Sequence, residues 1–215
     1  MPTSLFGSTP STRMPASRTT WSPSLDGASS PYLRMADPTA NPRVLLLLAN
    51  VGRPRRPSGV AAPYAEPILP DATVASAQLA EVVDQPVAAA DLVDLRRLQL
   101  ASVHAADAIL AGESVDCAEL NAIAAGSSAR IELVVTDGEP RRHLIWTDTS
   151  LSAALARRLI EELNALEPDR FRRCARPECD LLFYDTTRSR TRRWHAEDPC
   201  GWRERQRVHR LRTSI

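Results

Sequence analysis

The chain of 215 residues is long enough to bury a core in one or two domains. Its longest aliphatic run, VLLLLA at 44–49, is far shorter than the ~20 residues of a membrane-spanning helix, and the polar stretch before it is not that of a signal peptide. We therefore expect a cytoplasmic protein that does not enter a membrane. In that compartment, clustered cysteines are more typical of metal binding than of disulfides.

The net charge of +1 conceals an uneven distribution. Residues 1–40 contain 3 Arg and 2 acidic residues, residues 41–168 contain 11 Arg and 17 acidic residues, and residues 169–215 contain 13 Arg and 7 acidic residues. All 27 basic residues are Arg, so the choice of Arg over Lys distinguishes no region. An acidic body followed by a basic C-terminal unit favours contact with a polyanion through that unit.

The N-terminal segment, residues 1–40, is rich in Ser, Thr and Pro and has no apolar period. Such a segment cannot bury enough surface to offset its ordering entropy, and we predict it to be disordered. The globular body begins at residue 41. Its first apolar run, 44–49, predicts either a buried strand or a short helix, because a run of this length is compatible with both.

Two helices follow in the body. Asp71 is a typical N-cap for a helix that extends to about Asp84, before Pro86. Residues 91–111 carry apolar side chains at helical spacing, and Gly112 is a typical C-terminal stop for this second, amphipathic helix.

A third helix is predicted after a capping signal. Asp116 and Glu119 resemble a capping box in front of AELNAIAA, and Gly126 ends that helix. We expect Cys117 to be a small buried residue.

The apolar period then changes from helix to strand. Residues 131–135 and 143–146 flank Asp137-Gly138, which is a strong hairpin signal, and residues 150–166 return to helical spacing. The body is therefore predicted to be mainly helical with a small β-hairpin. It contains no nucleotide-binding loop or catalytic motif, so we do not expect an enzyme.

The C-terminal unit contains a spaced set of soft metal ligands. Their pattern is Cys174-x4-Cys179-x15-His195-x4-Cys200. Two close pairs separated by a linker of this length are typical of tetrahedral zinc sites, in which each pair supplies one edge of the tetrahedron. The alternative is a set of reduced structural cysteines. The Cys3His composition favours zinc over an iron–sulfur cluster, and four protein ligands predict one closed, structural Zn2+.

The segments between the ligands predict a small finger. Residues 181–185 and 192–195 are predicted as two short strands joined by the turn TTRSRT, and Cys200 is predicted to open a helix to about Leu211. A knuckle, a hairpin and a ligand-bearing helix form a treble-clef-like finger. The overall prediction is an α+β chain with a helical domain and this finger.

The other histidines fit the site less well. His209 falls on the opposite face of the last helix from Cys200, while His104 and His143 lie in the body. Trp194 and Trp202 could stack on bases, but we expect them to form the core of so small a finger.

Helical spacing also orders the last helix. Cys200, Glu204, Val208 and Leu211 share a face that we expect to point towards the metal and the core. The candidate nucleic-acid contacts lie on the neighbouring stripe and in the hairpin turn: Arg203, Arg207 and Arg210, with Arg188, Arg190, Arg192 and Arg193. Aligned guanidinium groups suit phosphate contact. The alternatives are a solvated basic face or one that docks on the acidic body of the same chain.

Residues 172–212 resemble the CGNR zinc finger. The resemblance rests on the Cys174–Cys179 pair, the aromatic strand ending in Asp185-Thr186, the Arg-Arg-Trp of 192–194 and the Cys-Gly-Trp-Arg of 200–203. The body, residues 41–168, is loosely similar to the ABATE domain that is paired with this finger, through the Leu-Ala-Asn of 48–50 and the order of its elements.

This resemblance implies a zinc-dependent transcriptional regulator that responds to stress and binds DNA through residues 169–215. Our own hypothesis is that the N-terminal domain senses a small-molecule ligand or forms a homodimer. Two positions depart from the family pattern. His195 stands where the family usually has a cysteine, and Trp202 stands where it has the Asn of Cys-Gly-Asn-Arg. If that Asn caps a turn or contacts DNA, its role is lost here.

A second function class is compatible with the same residues. The finger could be a zinc-stapled interaction module whose basic surface binds an acidic protein surface, since charge alone does not distinguish this partner from DNA.

Overall fold

The computed structural model describes residues 32–33, 42–51 and 69–213. The predicted disordered segment, residues 1–40, therefore lies almost entirely outside the described residues. The helices and strands are α1 (Arg43–Asn50), α2 (Ala72–Leu79), α3 (Leu92–Ala111), α4 (Ala118–Ala124), β1 (Ser127–Thr136), β2 (Glu139–Asp148), α5 (Leu151–Ala165), β3 (Phe171–Arg173), β4 (Leu182–Tyr184) and α6 (Trp202–Thr213). In the part of the chain just defined, no helix is both long and apolar enough to cross a membrane.

The core of the body surrounds α1, which packs against α3 and α5. The sequence left residues 44–49 open between a strand and a helix, and the structure contains the helix. Its Leu45 and Leu48 side chains are completely buried. Burial of this face, rather than the length of an eight-residue helix, stabilises α1, because isolated helices this short are marginal in water.

The N-terminus of α1 is capped from a distant part of the chain. Pro42 precedes the helix and provides no side-chain cap. The buried Glu162 carboxylate of α5 instead accepts hydrogen bonds from the backbone N–H groups of Val44, at 3.1 Å, and Leu45, at 3.0 Å. Burial raises the pKa of Glu162 to about 7, although these bonds and the Arg158 guanidinium act in the opposite direction.

The predicted cap at the start of α2 and the predicted stop at the end of α3 are confirmed. Asp71 accepts a hydrogen bond from the Val74 N–H at 2.8 Å, and Gly112 ends α3 with a φ of 70°. The prediction that the first of these helices reaches Asp84 is wrong. The helix α2 ends at Leu79, because the N–H groups of Val82 and Val83 both donate to the Leu79 carbonyl and close the chain into a turn.

The start of α4 differs from a capping box. Asp116 caps the helix by accepting a hydrogen bond from the Ala118 N–H at 2.9 Å, but Glu119 binds Arg97 instead, at 2.7 Å. The expectation that Cys117 is buried is wrong. Cys117 precedes the first turn of α4 and is exposed.

The predicted hairpin is confirmed and is longer than expected. Strands β1 and β2 pair antiparallel over ten residues each, from Ser127 opposite Asp148 to Thr136 opposite Glu139. The two turn residues, Asp137 and Gly138, both have positive φ angles, 54° and 81°, as a type I′ turn requires.

The hairpin is anchored to α5 at its base. Arg157 of α5 binds the buried Asp148 carboxylate, and its guanidinium lies 4.5 Å from the centre of the Trp146 ring. The rest of the hairpin extends from this anchor with mostly exposed side chains.

The strand prediction for the C-terminal unit is half correct. The segment 181–185 contains β4, but residues 192–195 form no strand, and β3 pairs with β4 in their place. The reason is that both edges of β4 are occupied. One edge pairs with β3, and on the other edge the Asn50 side chain bonds the N–H and the carbonyl of Leu182.

The same two strands join the C-terminal unit to the body. Phe171 of β3 and Leu182 of β4 are buried in the hydrophobic core that contains α1, α3 and α5. Arg173 adds an ion pair with Asp107 of α3, at 3.2 Å.

Candidate metal centre

The structure brings together the four predicted metal ligands. The ligand atoms of Cys174, Cys179, His195 and Cys200 all lie within 4.8 Å of one another. Among them, the Cys179 Sγ and the His195 Nδ1 are 3.4 Å apart. Zinc bond lengths of about 2.3 Å to sulfur and about 2.0 Å to nitrogen give tetrahedral edges of about 3.5–3.8 Å. The cluster therefore has the size of one tetrahedral zinc site.

The first ligand pair lies on the β3–β4 connection. Cys174 directly follows β3, and its N–H donates to the Leu181 carbonyl at 2.9 Å, which continues the strand ladder. The Cys179 N–H donates to the Arg176 carbonyl at 2.9 Å, so the chain between the two cysteines is a tight turn. This turn directs both thiols to the same side, where they are buried.

The second pair is held by one arginine and an irregular turn. The Arg192 guanidinium donates to the carbonyl oxygens of Trp194, at 2.9 Å, and His195, which fixes the backbone at the histidine ligand. Cys200 lies in the irregular helical turn Glu197–Gly201, directly before α6. The predicted start of the last helix at Cys200 is therefore two residues early.

Asp185 organises the loop that leads to this pair. Its carboxylate is completely buried and accepts hydrogen bonds from the N–H and the hydroxyl of Thr187 and from the Arg192 N–H. Burial alone would raise the pKa of Asp185, but the hydrogen bonds from Thr187 and Arg192 outweigh it and hold this pKa below its ordinary value. The ionised carboxylate thus positions Arg192, which in turn positions His195.

The chemistry of the donor set fits zinc. Three buried thiols and one imidazole are the soft and borderline ligands that Zn2+ prefers. Burial, together with the neighbouring Cys174 and Cys200, raises the pKa of the Cys179 thiol to about 12, so the cluster without a metal holds protons that zinc displaces. The site is consistent with one structural zinc ion whose four ligands all come from the protein.

The candidate nucleic-acid contacts occupy different environments. Arg188, Arg203 and Arg210 are exposed. Arg190 binds Glu167 and Asp169, each at 2.6 Å, and Arg207 binds Glu204 at 2.6 Å. Arg193 lies over the Trp194 ring, 5.4 Å from its centre, and Arg192 is the arginine that holds His195. Their assignment as nucleic-acid contacts stays a prediction.

Two expectations about the core of this unit are wrong. Trp202 is 54% exposed and Leu211 is 58% exposed, and no side chain of α6 is buried among the described residues. Trp194 behaves as predicted, since it packs against the cysteine cluster together with Leu181. His209 is exposed, in agreement with its exclusion as a ligand.

Comparison with known proteins supports the metal centre. Residues 170–213 match the family model of the CGNR zinc finger. This range contains all four ligands, the β3–β4 pair and α6. No curated protein matches the chain.

Proposed function

We propose that the protein is a zinc-dependent, DNA-binding transcriptional regulator that contacts phosphates through α6 and the arginine-rich loop before it. The observation that carries this proposal is the character of α6. The helix has twelve residues, none of them buried, and they include five arginines and one glutamate. In the described part of the chain this helix contributes no buried side chain, so its arginines are accessible to an external partner.

The metal centre gives this exposed helix a fixed position. Cys200 lies two residues before α6, and Glu197 of the same turn pairs with Arg205 of the helix. A zinc ion at Cys200 would therefore anchor the N-terminal end of α6 and limit fraying there. Arginines held on an anchored helix lose less entropy on meeting phosphates than arginines on a flexible tail.

Three arginines form the proposed contact stripe. Arg203, Arg207 and Arg210 follow one another at helical spacing on the exposed side of α6. Arg207 is about half exposed and pairs with Glu204, whose side chain is 14% exposed. A phosphate that binds Arg207 would therefore compete with this carboxylate.

The test compares DNA binding by two variants that lose the same charge. In the first, Arg203, Arg207 and Arg210 are changed to Ala. In the control, Arg97, Arg141 and Arg142 of the body are changed to Ala. Binding to duplex DNA is measured at several salt concentrations, and each lost phosphate contact should lower the slope of log K against log salt by about 1.

We expect the α6 variant to lose most of its affinity and salt dependence, while the control binds as the unchanged protein does. Equal binding by all three proteins would contradict the assignment of α6. Titration with polyglutamate tests the second function, a module that binds an acidic protein surface. Polyglutamate binding as tight as DNA binding, at the same salt, would favour that function.

The remaining parts of the proposal rest on the sequence patterns and on the resemblance. We propose that residues 41–168 are an ABATE-like domain that senses a ligand, that residues 169–215 have a treble-clef-like arrangement, and that the protein acts in the cytoplasm. We also propose a role without catalysis, since four protein ligands leave no coordination position for a substrate.

A further inference from the structure

Strand β1 of the hairpin has an exposed apolar face and an edge without a partner strand among the described residues. Ile131, Leu133 and Val135 alternate along β1, so they share one face of the hairpin, and they are 68%, 76% and 73% exposed. Within the described ranges, β1 pairs with β2 alone. A long, apolar, unpaired edge of this kind is a template for another strand, and proteins that stay monomeric usually protect such edges.

The pairing pattern defines which backbone groups of β1 point outward. Val135 lies opposite Pro140, which has no N–H, and the Thr149 N–H donates to the Gly126 carbonyl at 3.0 Å. Hydrogen-bonded and non-hydrogen-bonded pairs alternate in an antiparallel ladder, so the even-numbered residues of β1 bond β2. The outward N–H and C=O groups belong to the odd-numbered residues: Ser127, Ala129, Ile131, Leu133 and Val135.

This edge is complementary to itself. A two-fold axis at Ile131 places Ile131 opposite the same residue of a second copy, Ala129 opposite Leu133, and Ser127 opposite Val135. All five outward residues of each strand then form hydrogen-bonded pairs. Each of the three exposed apolar side chains also gains a neighbour directly across the new strand pair.

The charges of β1 favour the same register. With the axis at Ile131, Arg130 of each copy lies opposite Glu132 of the other, in close non-hydrogen-bonded pairs. A two-fold axis at residue 130 would place the Arg130 side chains of the two copies opposite each other. An axis at residue 132 would do the same for the two Glu132 side chains. In the single chain, Arg130 and Glu132 bind each other at 2.8 Å, so both side chains already lie on the same face.

The opposite edge of the hairpin is protected. Strand β2 carries Pro140, which cannot donate to a new strand, followed by Arg141 and Arg142. A two-fold axis at Arg142 would place this arginine opposite the same arginine of the second copy. Proline and consecutive like charges are the usual protection of an edge strand, and β1 carries neither.

We propose that β1 is a homodimerisation edge, at which two copies of the chain join their hairpins into a four-stranded antiparallel sheet with the two-fold axis at Ile131. The proposal is independent of DNA binding, because it rests on β1 and β2 alone.

The test uses exchanged charges in the full-length protein. In the proposed dimer, residue 130 of each copy lies opposite residue 132 of the other, which gives two such pairs. Arg130→Glu places two glutamates opposite each other in both pairs, and Glu132→Arg places two arginines opposite each other in both pairs. The molar mass is measured by light scattering and sedimentation across a concentration series. We expect a dimer for the unchanged chain and dissociation constants at least about tenfold higher for each single variant.

Two combinations restore the complementary charges. The double variant R130E/E132R should dimerise by itself, and an equimolar mixture of R130E with E132R should form a heterodimer. The control R141E makes a similar charge change on the protected edge and should dimerise as the unchanged chain does. A monomeric unchanged chain, or a dimer that is insensitive to both single variants, would overturn the proposal, as would failure of the mixture to associate.

Discussion

The side chain of Asn50, the last residue of α1, forms two hydrogen bonds with the backbone of Leu182 in β4. Its Nδ2 donates to the Leu182 carbonyl at 2.9 Å, and its Oδ1 accepts from the Leu182 N–H at 2.8 Å. An amide side chain has the same donor and acceptor groups as a peptide unit. Asn50 therefore replaces a neighbouring strand at this edge and ties the metal-binding unit to the helical body.

Replacement of Asn50 tests this connection. Asn50→Ala leaves the two backbone groups of Leu182 without their partners at a partly buried position, and we expect the free energy of unfolding to fall by about 2–4 kcal/mol. Urea denaturation of the zinc-loaded protein measures this change. The control is Asn164→Ala, at an exposed position of α5, which should stay within about 0.5 kcal/mol. An equal change in the free energy of unfolding for the two substitutions would show that the Asn50 hydrogen bonds do not tie the metal-binding unit to the body.

Glu162 gives the body a predictable pH dependence. Its pKa is about 7 in the folded chain and its ordinary value is 4.5, so the folded state binds the proton more tightly. The free energy of unfolding should therefore fall as the pH rises from about 4.5 to about 7, by up to about 3 kcal/mol.

Comparison of variants isolates this contribution. Glu162→Gln keeps this side chain neutral at every pH. The variant should therefore be about as stable as the unchanged protein below about pH 4.5, where Glu162 is protonated, and more stable than the unchanged protein at about pH 8. The control Glu161→Gln replaces the adjacent carboxylate, which is half-buried and bound to Arg157. Denaturation curves at each pH provide the measurement, and parallel pH profiles for the unchanged protein and the Glu162 variant would contradict the assigned cause.

Asp185 is expected to support zinc binding indirectly. Asp185→Ala removes the acceptor of three hydrogen bonds and releases Arg192, so the backbone at His195 loses its orientation. We expect zinc affinity to fall by about 10–100-fold, which is typical when the partner of a metal ligand is lost. Competition with a chromogenic chelator measures the affinity. Asp198→Ala, an exposed acidic residue between the two ligands of the second pair, is the control that should change it little.

The sequence predicted the parts of the structure that depend on local order. The helix cap at Asp71, the helix stop at Gly112, the hairpin turn at Asp137-Gly138 and the four metal ligands were all predicted, because a short sequence pattern indicates each of them. Zinc ligands at these spacings impose their own geometry on a short chain, and so the site could be predicted before its surroundings.

Contacts between distant segments could not be predicted in this way. Asn50 and Leu182 are 132 positions apart, and Glu162 lies 118 positions from the N–H group that it caps. The segment 192–195 has the composition of a strand, but the competing partners of β4 lie elsewhere in the chain, so residue composition predicted the wrong pair. Leu211 was assigned to the core by helical spacing and Trp202 by the small size of the finger, but no side chain of α6 is buried among the described residues.

The fourth ligand position tolerates two chemistries. His195→Cys supplies a thiolate in place of the imidazole, and both are good zinc ligands, so this variant should keep one zinc per chain. His195→Ala leaves three protein ligands, and its zinc should be removed by a chelator at concentrations that leave the cysteine variant loaded. Equal chelator resistance of the two variants would show that His195 is not a ligand.

The most direct measurement is the zinc content of the purified full-length protein, determined by elemental analysis beside Cys174→Ser and the control Cys117→Ser. The unchanged chain and the Cys117 variant should contain one zinc per chain, because Cys117 lies outside the cluster. The Cys174 variant should lose the zinc and the ordered structure of the C-terminal unit. A zinc content near zero in the unchanged protein, or equal content in all three proteins, would contradict the metal centre on which the account depends.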